Sequence, residues 1–207
     1  MTAKTLCHTE VILASASAIR RQLLEGAGLR VRAIRADIDE DAVKQTLRGD
    51  DVDAGPGDVA SILAQTKAVA VSQNHPGSLV IGADQVLVHD SAVLDKPRSV
   101  EDARSQLLEL RGREHSLISA VACARAGEVV WTHDGEARLA MRQFTPEFLG
   151  TYLAALGEEV TESVGGYKLE GLGIQLFDRV EGDYFTILGL PMLALIGFLR
   201  SEAVLSV

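Results

Sequence analysis

Cysteine is nearly absent from this chain: Cys7 and Cys123 are the only two in 207 residues, and they form no CxxC pair. A disulfide framework and a thiolate zinc site are thereby disfavoured, and both are expected to be ordinary reduced thiols. Positive charge is also short. Twenty Lys and Arg against 29 Asp and Glu leave a net charge of −9, which argues against long nucleic acid, whose binding needs a clustered basic face. A small phosphorylated ligand stays possible, because a few placed cations and backbone NH groups suffice for one. No apolar run approaches the roughly 20 residues that span a bilayer. Met1 to Glu10 is neither basic nor apolar enough for a signal peptide, so a cytoplasmic protein without a membrane partner is expected. The five histidines are scattered singly, and each is expected to be structural or on the surface. Repeats, low-complexity segments and clear linkers are missing too. With 47% hydrophobic residues the chain can bury a real core, and 1–207 reads as one domain.

What is present begins with Leu79 to Val88, an apolar, β-branched run broken by Gly82, Ala83 and a lone carboxylate, Asp84. The run predicts a buried strand with Asp84 at its end or at a bend. A charge there needs a metal, a cation or a proton, and the small neighbours leave room for a ligand. The plainer alternative is an Asp that starts a turn or caps a backbone NH. Upstream, the strand Val11 to Ala14 runs into Ser15-Ala16-Ser17, and Ile19, Leu23, Leu24 and Ala27 then mark a helical face. Ser15 or Ser17 is the expected N-cap. Strand end, two hydroxyls, a helix N-terminus and Arg20 together make an anion site, although capping alone accounts for Ser17.

The acidic cluster Asp37 to Asp41 reads as a solvated helix start. After a loop from Asp51 to Asp58, Asp58 should cap a helix carrying Val59, Ile62, Leu63 and Ala70, in which Lys67 needs no role beyond the helix dipole. Lys96 lies between a short strand at Val93-Leu94 and a helix capped by Ser99. Glu114 to Ala124 and Glu128 to Phe144 read as strands, the second broken by a hairpin turn at Asp134-Gly135. Thr145-Pro146 opens another helix. Ser163 to Gly173 holds too many glycines for a regular interior and should be a binding loop or tight connector. Ile174 to Val180 alternates as a strand, and a last helix follows Pro191. Strands and helices in this order predict an α/β fold.

Four segments resemble the Maf family of nucleotide pyrophosphatases: Leu13 to Arg21, Ile81-Gly82-Ala83-Asp84-Gln85, Asp95-Lys96-Pro97, and Gly171-Leu172-Gly173 onward through Glu181-Gly182-Asp183-Tyr184 to Gly189-Leu190-Pro191. The resemblance implies a central mixed β-sheet flanked by helices, with two lobes and a cleft, a Maf/ITPase-like fold. It implies hydrolysis of nucleoside triphosphates between the α and β phosphates, a divalent metal (Mg, Mn or Co) and a homodimer. Asp84 matches the family's proton acceptor. Ser15, Ser17, Arg20, Lys67 and Lys96 match its phosphate site, and Glu40 is the member of the acidic cluster placed there, through the metal with Asp84. On this reading each cation should meet phosphate rather than a protein carboxylate. Ile19, Gln85 and Glu170 match its base-selecting positions. Gln85 and Glu170 resemble the 7-methyl-GTP branch rather than the dTTP and UTP branch, but Ile19 fits neither. The rival implication is a non-catalytic nucleotide-sensing regulator of cell division, which would not need the Asp84 carboxylate. Another phosphohydrolase on the same cleft is a third.

Overall fold

The computed structural model describes residues 9–47 and 54–206; Cys7 and part of the expected Asp51 to Asp58 loop lie outside them. Seven strands form one mixed sheet: β1 Glu10–Leu13, β2 Arg30–Ala33, β3 Val80–His89, β4 Ala92–Leu94, β5 Glu114–Arg125, β6 Glu128–Met141 and β7 Phe177–Glu181. Their order is β2-β1-β3-β5-β6-β7, with β4 beside β3. β1 runs parallel to β2 and β3, and the other pairs are antiparallel. The helices are α1 Ala18–Gly26, α2 Glu40–Leu47, α3 Pro56–Asn74, α4 Val100–Leu110, α5 Pro146–Leu156, α6 Tyr184–Ile187 and α7 Met192–Ser201. No helix among the described residues is long and apolar enough to cross a membrane.

Local chemistry starts the helices. Ser17 Oγ accepts from the Arg20 amide at 3.4 Å, Ser99 Oγ from the Asp102 amide at 3.1 Å and Thr145 Oγ1 from the Phe148 amide at 3.2 Å, each satisfying a donor the helix itself cannot. α3 departs from expectation. Gly55 is its N-cap, Pro56 opens the first turn, and Asp58 reaches back to accept from the Gly55 amide at 2.8 Å.

β3 divides the layers. Val86, with Ala120, Ala122 and Ala124 of β5, packs on Val59, Ala60, Leu63, Ala64 and Ala68 of α3. On the other face lie two separate apolar clusters. One joins Ile81, Ala83, Val121 and Cys123 to α1 and α7, and the other joins Leu87, Leu117 and Leu139 to α4 and α5. Burial pushes the Cys123 thiol up to about 12, in keeping with an inert core residue.

Three strand readings need correction. Asp84 is at neither an end nor a bend: its register with Ala120 lies inside continuous pairing from Val80 to Val88. Asp134-Gly135 is no hairpin, because β6 runs through it and Gly135 pairs with Ser119. The glycine is there for packing, since a Cβ would come within 2.9 Å of Thr186 Oγ1. Leu172–Leu176 forms a 3-10 turn, so β7 starts only at Phe177.

The glycine-rich segment is a packed connector. Gly165 and Gly166 both have positive φ and lie against Leu87 and against Ala103 and Leu107 respectively. Tyr167, buried beside them, places its hydroxyl 2.6 Å from His115 Nε2. His115 Nδ1 is buried without a partner. Burial, with the charge of His89 adding, drives the His115 pKa down to about 4. The native state therefore resists protonation that the unfolded chain accepts near pH 6.5. Stability from this residue is full above that value and is lost as the pH falls toward 4. Replacing His115 by Phe should narrow the stability gap between wild type and variant by up to about 3 kcal/mol between pH 6.5 and 4, as read by urea unfolding. A gap independent of pH would refute it.

Candidate active site

β1 reaches β3 only at Val80 and Ile81, and β4 pairs only with Leu87, Val88 and His89. β5 lines the opposite edge throughout. Residues 82–86 therefore have no strand on the β1 side, and this notch is where the expected residues gather.

On the α3 side of the notch, Lys67 Nζ donates to Asp84 Oδ1 at 2.6 Å and stands 3.0 Å from Glu40 Oε1. Lys67 and Asp84 are buried, and Glu40 is half exposed. The dipole reading of Lys67 fails, because its ammonium is spent on two carboxylates. So does the expectation that every cation is held for phosphate alone. α3 comes this close because Gly82 has no side chain: a Cβ would lie 2.2 Å from the Ala64 carbonyl oxygen. Glu40 arrives on the first turn of α2, where Asp39 Oδ1 accepts from the Ala42 amide at 2.9 Å. The acidic cluster thus divides its work between a cap and the site.

At the edge itself, Arg20 Nε donates to the Gly189 carbonyl at 2.8 Å and Nη1 to the Ala83 carbonyl at 2.7 Å. The Ala83 bond extends the row in which the Ala14 amide meets the Ile81 carbonyl at 2.8 Å, so Arg20 takes the place β1 vacates. Ser15 Oγ accepts from the Ser17 amide at 3.2 Å and lies 3.5 Å from Arg20 Nη1. Among the described residues nothing accepts from Nη2. Burial lowers the Arg20 pKa, while Asp84 and then Glu40 pull it back up; a guanidinium stays charged. Arg21, by contrast, pairs at the surface with Glu25 at 2.7 Å.

Lys96 is exposed and makes no ion pair among the described residues. Lost hydration and then the charge of Arg20 lower its pKa, Asp84 raises it, Lys67 lowers it and Glu40 raises it. One ammonium thus feels the whole cluster. Three cations face two carboxylates, a local excess of positive charge in an acidic protein.

The base-selecting candidates are spread out. Gln85 faces away from Asp84, as strand alternation requires, and its Nε2 reaches Ser119 and the carbonyls of Thr186 and Ile187. Ile19 is half buried on the first turn of α1. Glu170 is exposed; its charge helps raise the Lys168 pKa, after the bond from Lys168 to Glu162, and Glu162 in turn feels Lys96. Sequence reasoning missed Ser119 and Thr186. Neither carries a charge or a motif spacing: Ser119 shows only as a polar residue inside the apolar strand β5, and Thr186 sits on the short helix α6.

Residues 10–202 match the model of the Maf-like protein family. The chain belongs to that family. Among its Maf relatives, a nucleoside triphosphate pyrophosphatase of Granulibacter bethesdensis is 50% identical over 96% of this chain and 100% of its own. One of Paramagnetospirillum magneticum is 52% identical over 92% and 97%. A 7-methyl-GTP pyrophosphatase of Mesorhizobium japonicum is 48% identical over 93% and 96%.

Among the described residues, Lys67 is the one cation in ion-pair contact with Asp84 and Glu40. In the Lys67→Met variant Asp84 is left buried and uncompensated, which should cost about 3 kcal/mol or more at pH 7. Adding Asp84→Asn to Lys67→Met removes the buried charge, so the double variant should recover part of that loss. Urea unfolding at pH 7 measures it, and a double variant no more stable than Lys67→Met would contradict the pairing.

Proposed function

We propose that this chain hydrolyses nucleoside triphosphates between the α and β phosphates, giving a nucleoside monophosphate and pyrophosphate. The observation that carries the reading is Lys67 clasped between Asp84 and Glu40 at the open edge of β3, with Arg20 and Lys96 around it. The names of relatives about half identical over nearly the whole chain support the same activity.

A triphosphate entering the notch brings the negative charge that three crowded cations lack. Arg20, fixed by two carbonyls, turns Nη2 to a phosphate oxygen, and Lys96 donates from the rim. Ser15 and Ser17 add short donors at the N-terminus of α1. Lys67 can exchange a carboxylate for a phosphate oxygen, which frees Asp84 to take a proton from water. The water oxygen bonds to the α phosphorus, the bond from that phosphorus to the bridging oxygen breaks, and pyrophosphate leaves with the electron pair. Cations at the phosphates stabilise the charge that builds during transfer.

Two carboxylates converging on one ammonium also suit a divalent cation of the magnesium type, which binds through one or two carboxylates and completes its shell with phosphate and water. Asp84 and Glu40 would hold it, and it would supply further charge neutralisation at the phosphates. Among the described residues no group of three acidic, histidine or cysteine side chains could hold a metal alone, so phosphate and water would have to complete its shell.

Gln85 is partly exposed on the face of β3 opposite Asp84, so the base can turn toward it while the phosphates stay with Lys67. Glu170 is an acceptor when ionised and suits the NH-rich edge of guanine; Ile19 offers apolar contact without a π face. Guanine-type triphosphates should therefore outpace dTTP and UTP, with a modest bonus for 7-methylation.

A panel of common and modified triphosphates, with released pyrophosphate measured for each, tests the reading. Asp84→Asn should keep nucleotide binding and lose roughly 100-fold or more in turnover. Arg20→Ala and Lys96→Ala should each lose about 1.5 to 3 kcal/mol in kcat/KM. Orthophosphate as the product, or wild-type turnover in Asp84→Asn, would overturn it.

A further inference from the structure

Gln85 of β3, Ser119 of β5 and Gly135 of β6 stand in one row across the sheet, by the register of the three strands. The row lies at the seam between the two apolar clusters of its face: Ala83 and Val121 belong to one, Leu87 and Leu117 to the other. α6 is seated on it, with Thr186 against Gly135.

The hydrogen bonds of this row leave Gln85 one orientation. Its Nε2 is 2.9 Å from Ser119 Oγ, 2.9 Å from the Ile187 carbonyl and 3.2 Å from the Thr186 carbonyl. Its two N–H groups are thus consumed. Ser119 is fully buried and donates its single proton to the Thr186 carbonyl at 2.7 Å, so toward Gln85 it can only accept. Exchanging the ends of the amide would set Oε1 against two carbonyls and a hydroxyl whose proton is already used. Gln85 is partly exposed, and among the described residues nothing donates to its Oε1.

We infer that Ser119 is a positioning residue: it holds Gln85 with its carbonyl oxygen outward, so that a bound base meets an acceptor there and never a donor. The inference rests on the proposed nucleotide site and sharpens its selectivity. Guanine presents N1–H and the exocyclic amine to such an oxygen, whereas uracil presents one N–H between two carbonyls that a rotated amide would have served. With the Ser119 hydroxyl gone, Gln85 keeps only two of its three acceptors, the carbonyls of Thr186 and Ile187, and turning its NH2 group outward costs one hydrogen bond less.

The test measures kcat/KM for GTP and UTP, by pyrophosphate release, in wild type, Ser119→Ala, Gln85→Met and the double variant, with melting temperatures alongside. Ser119→Ala should lower the GTP to UTP ratio about fivefold, the worth of one hydrogen bond, and leave kcat for GTP within about twofold. Gln85→Met should lower the ratio at least as far, and the double variant should match Gln85→Met alone, because Ser119 acts only through that amide. Ser119→Cys, whose sulfur is a poor acceptor for the Gln85 amide, gives the same reading where the alanine variant does not fold. An unchanged ratio in both Ser119 variants, or losses that add in the double variant, overturns the inference. A wild type that releases no pyrophosphate from either nucleotide overturns the site reading itself, and that is seen before any variant is compared.

Discussion

A carboxylate in the middle of a buried strand needs a partner within hydrogen-bond reach, and the contact of Lys67 with Asp84 at 2.6 Å is the constraint on which the rest of this structure depends. It demands that α3 lie almost on the backbone of β3, which only a glycine at position 82 permits. It draws α2 across to bring in Glu40 as a second anion. It also requires that β1 stop short, so that charged groups collect along an edge still open to solvent. A cation kept among carboxylates in this way avoids the cost of a bare buried charge and can still trade one oxygen partner for another.

The same strand serves two environments because its side chains alternate. Asp84 looks to α3 and its ion pair, while Gln85 looks to α6 and a row of neutral hydrogen bonds. Arg20 joins the two sides at the edge, bonded to the carbonyl of Ala83 and to that of Gly189, just beyond α6. Displacing α6 would therefore disturb the arginine as well as the glutamine. The proposed phosphate and base sites are thus joined through one short turn, seated where the apolar core is interrupted.

Local signals in the chain were readable. Serine and threonine caps, the proline after Thr145 and the apolar run around Asp84 depend on neighbours a few residues away, and they fold as their spacing implies. Asp84 could be singled out because an unpaired charge in such a run is costly wherever the strand sits. The family resemblance grouped Ser15, Ser17, Arg20, Lys67 and Lys96; in the structure Lys67 meets Asp84 and Ser15 lies beside Arg20. Gly135 was misread for the converse reason. Asp-Gly commonly marks a turn, and nothing nearby in sequence reveals that Thr186 will pack over that glycine.

By itself, then, the sequence determined the alternation of strands and helices, the position of most caps, and the presence of a carboxylate that had to be compensated. Only the tertiary structure decided what compensates it. Lys67 is 17 residues from Asp84 and Glu40 is 44 away, and their meeting depends on a helix and a sheet closing without a side chain between them. It likewise decided that Gln85 offers an oxygen rather than a nitrogen. The hydroxyl and carbonyls that take up its protons come from residues 34, 101 and 102 positions away. Periodicity and capping are short-range consequences of backbone geometry, whereas the orientation of a polar group is set by whichever partners the packed core leaves within reach.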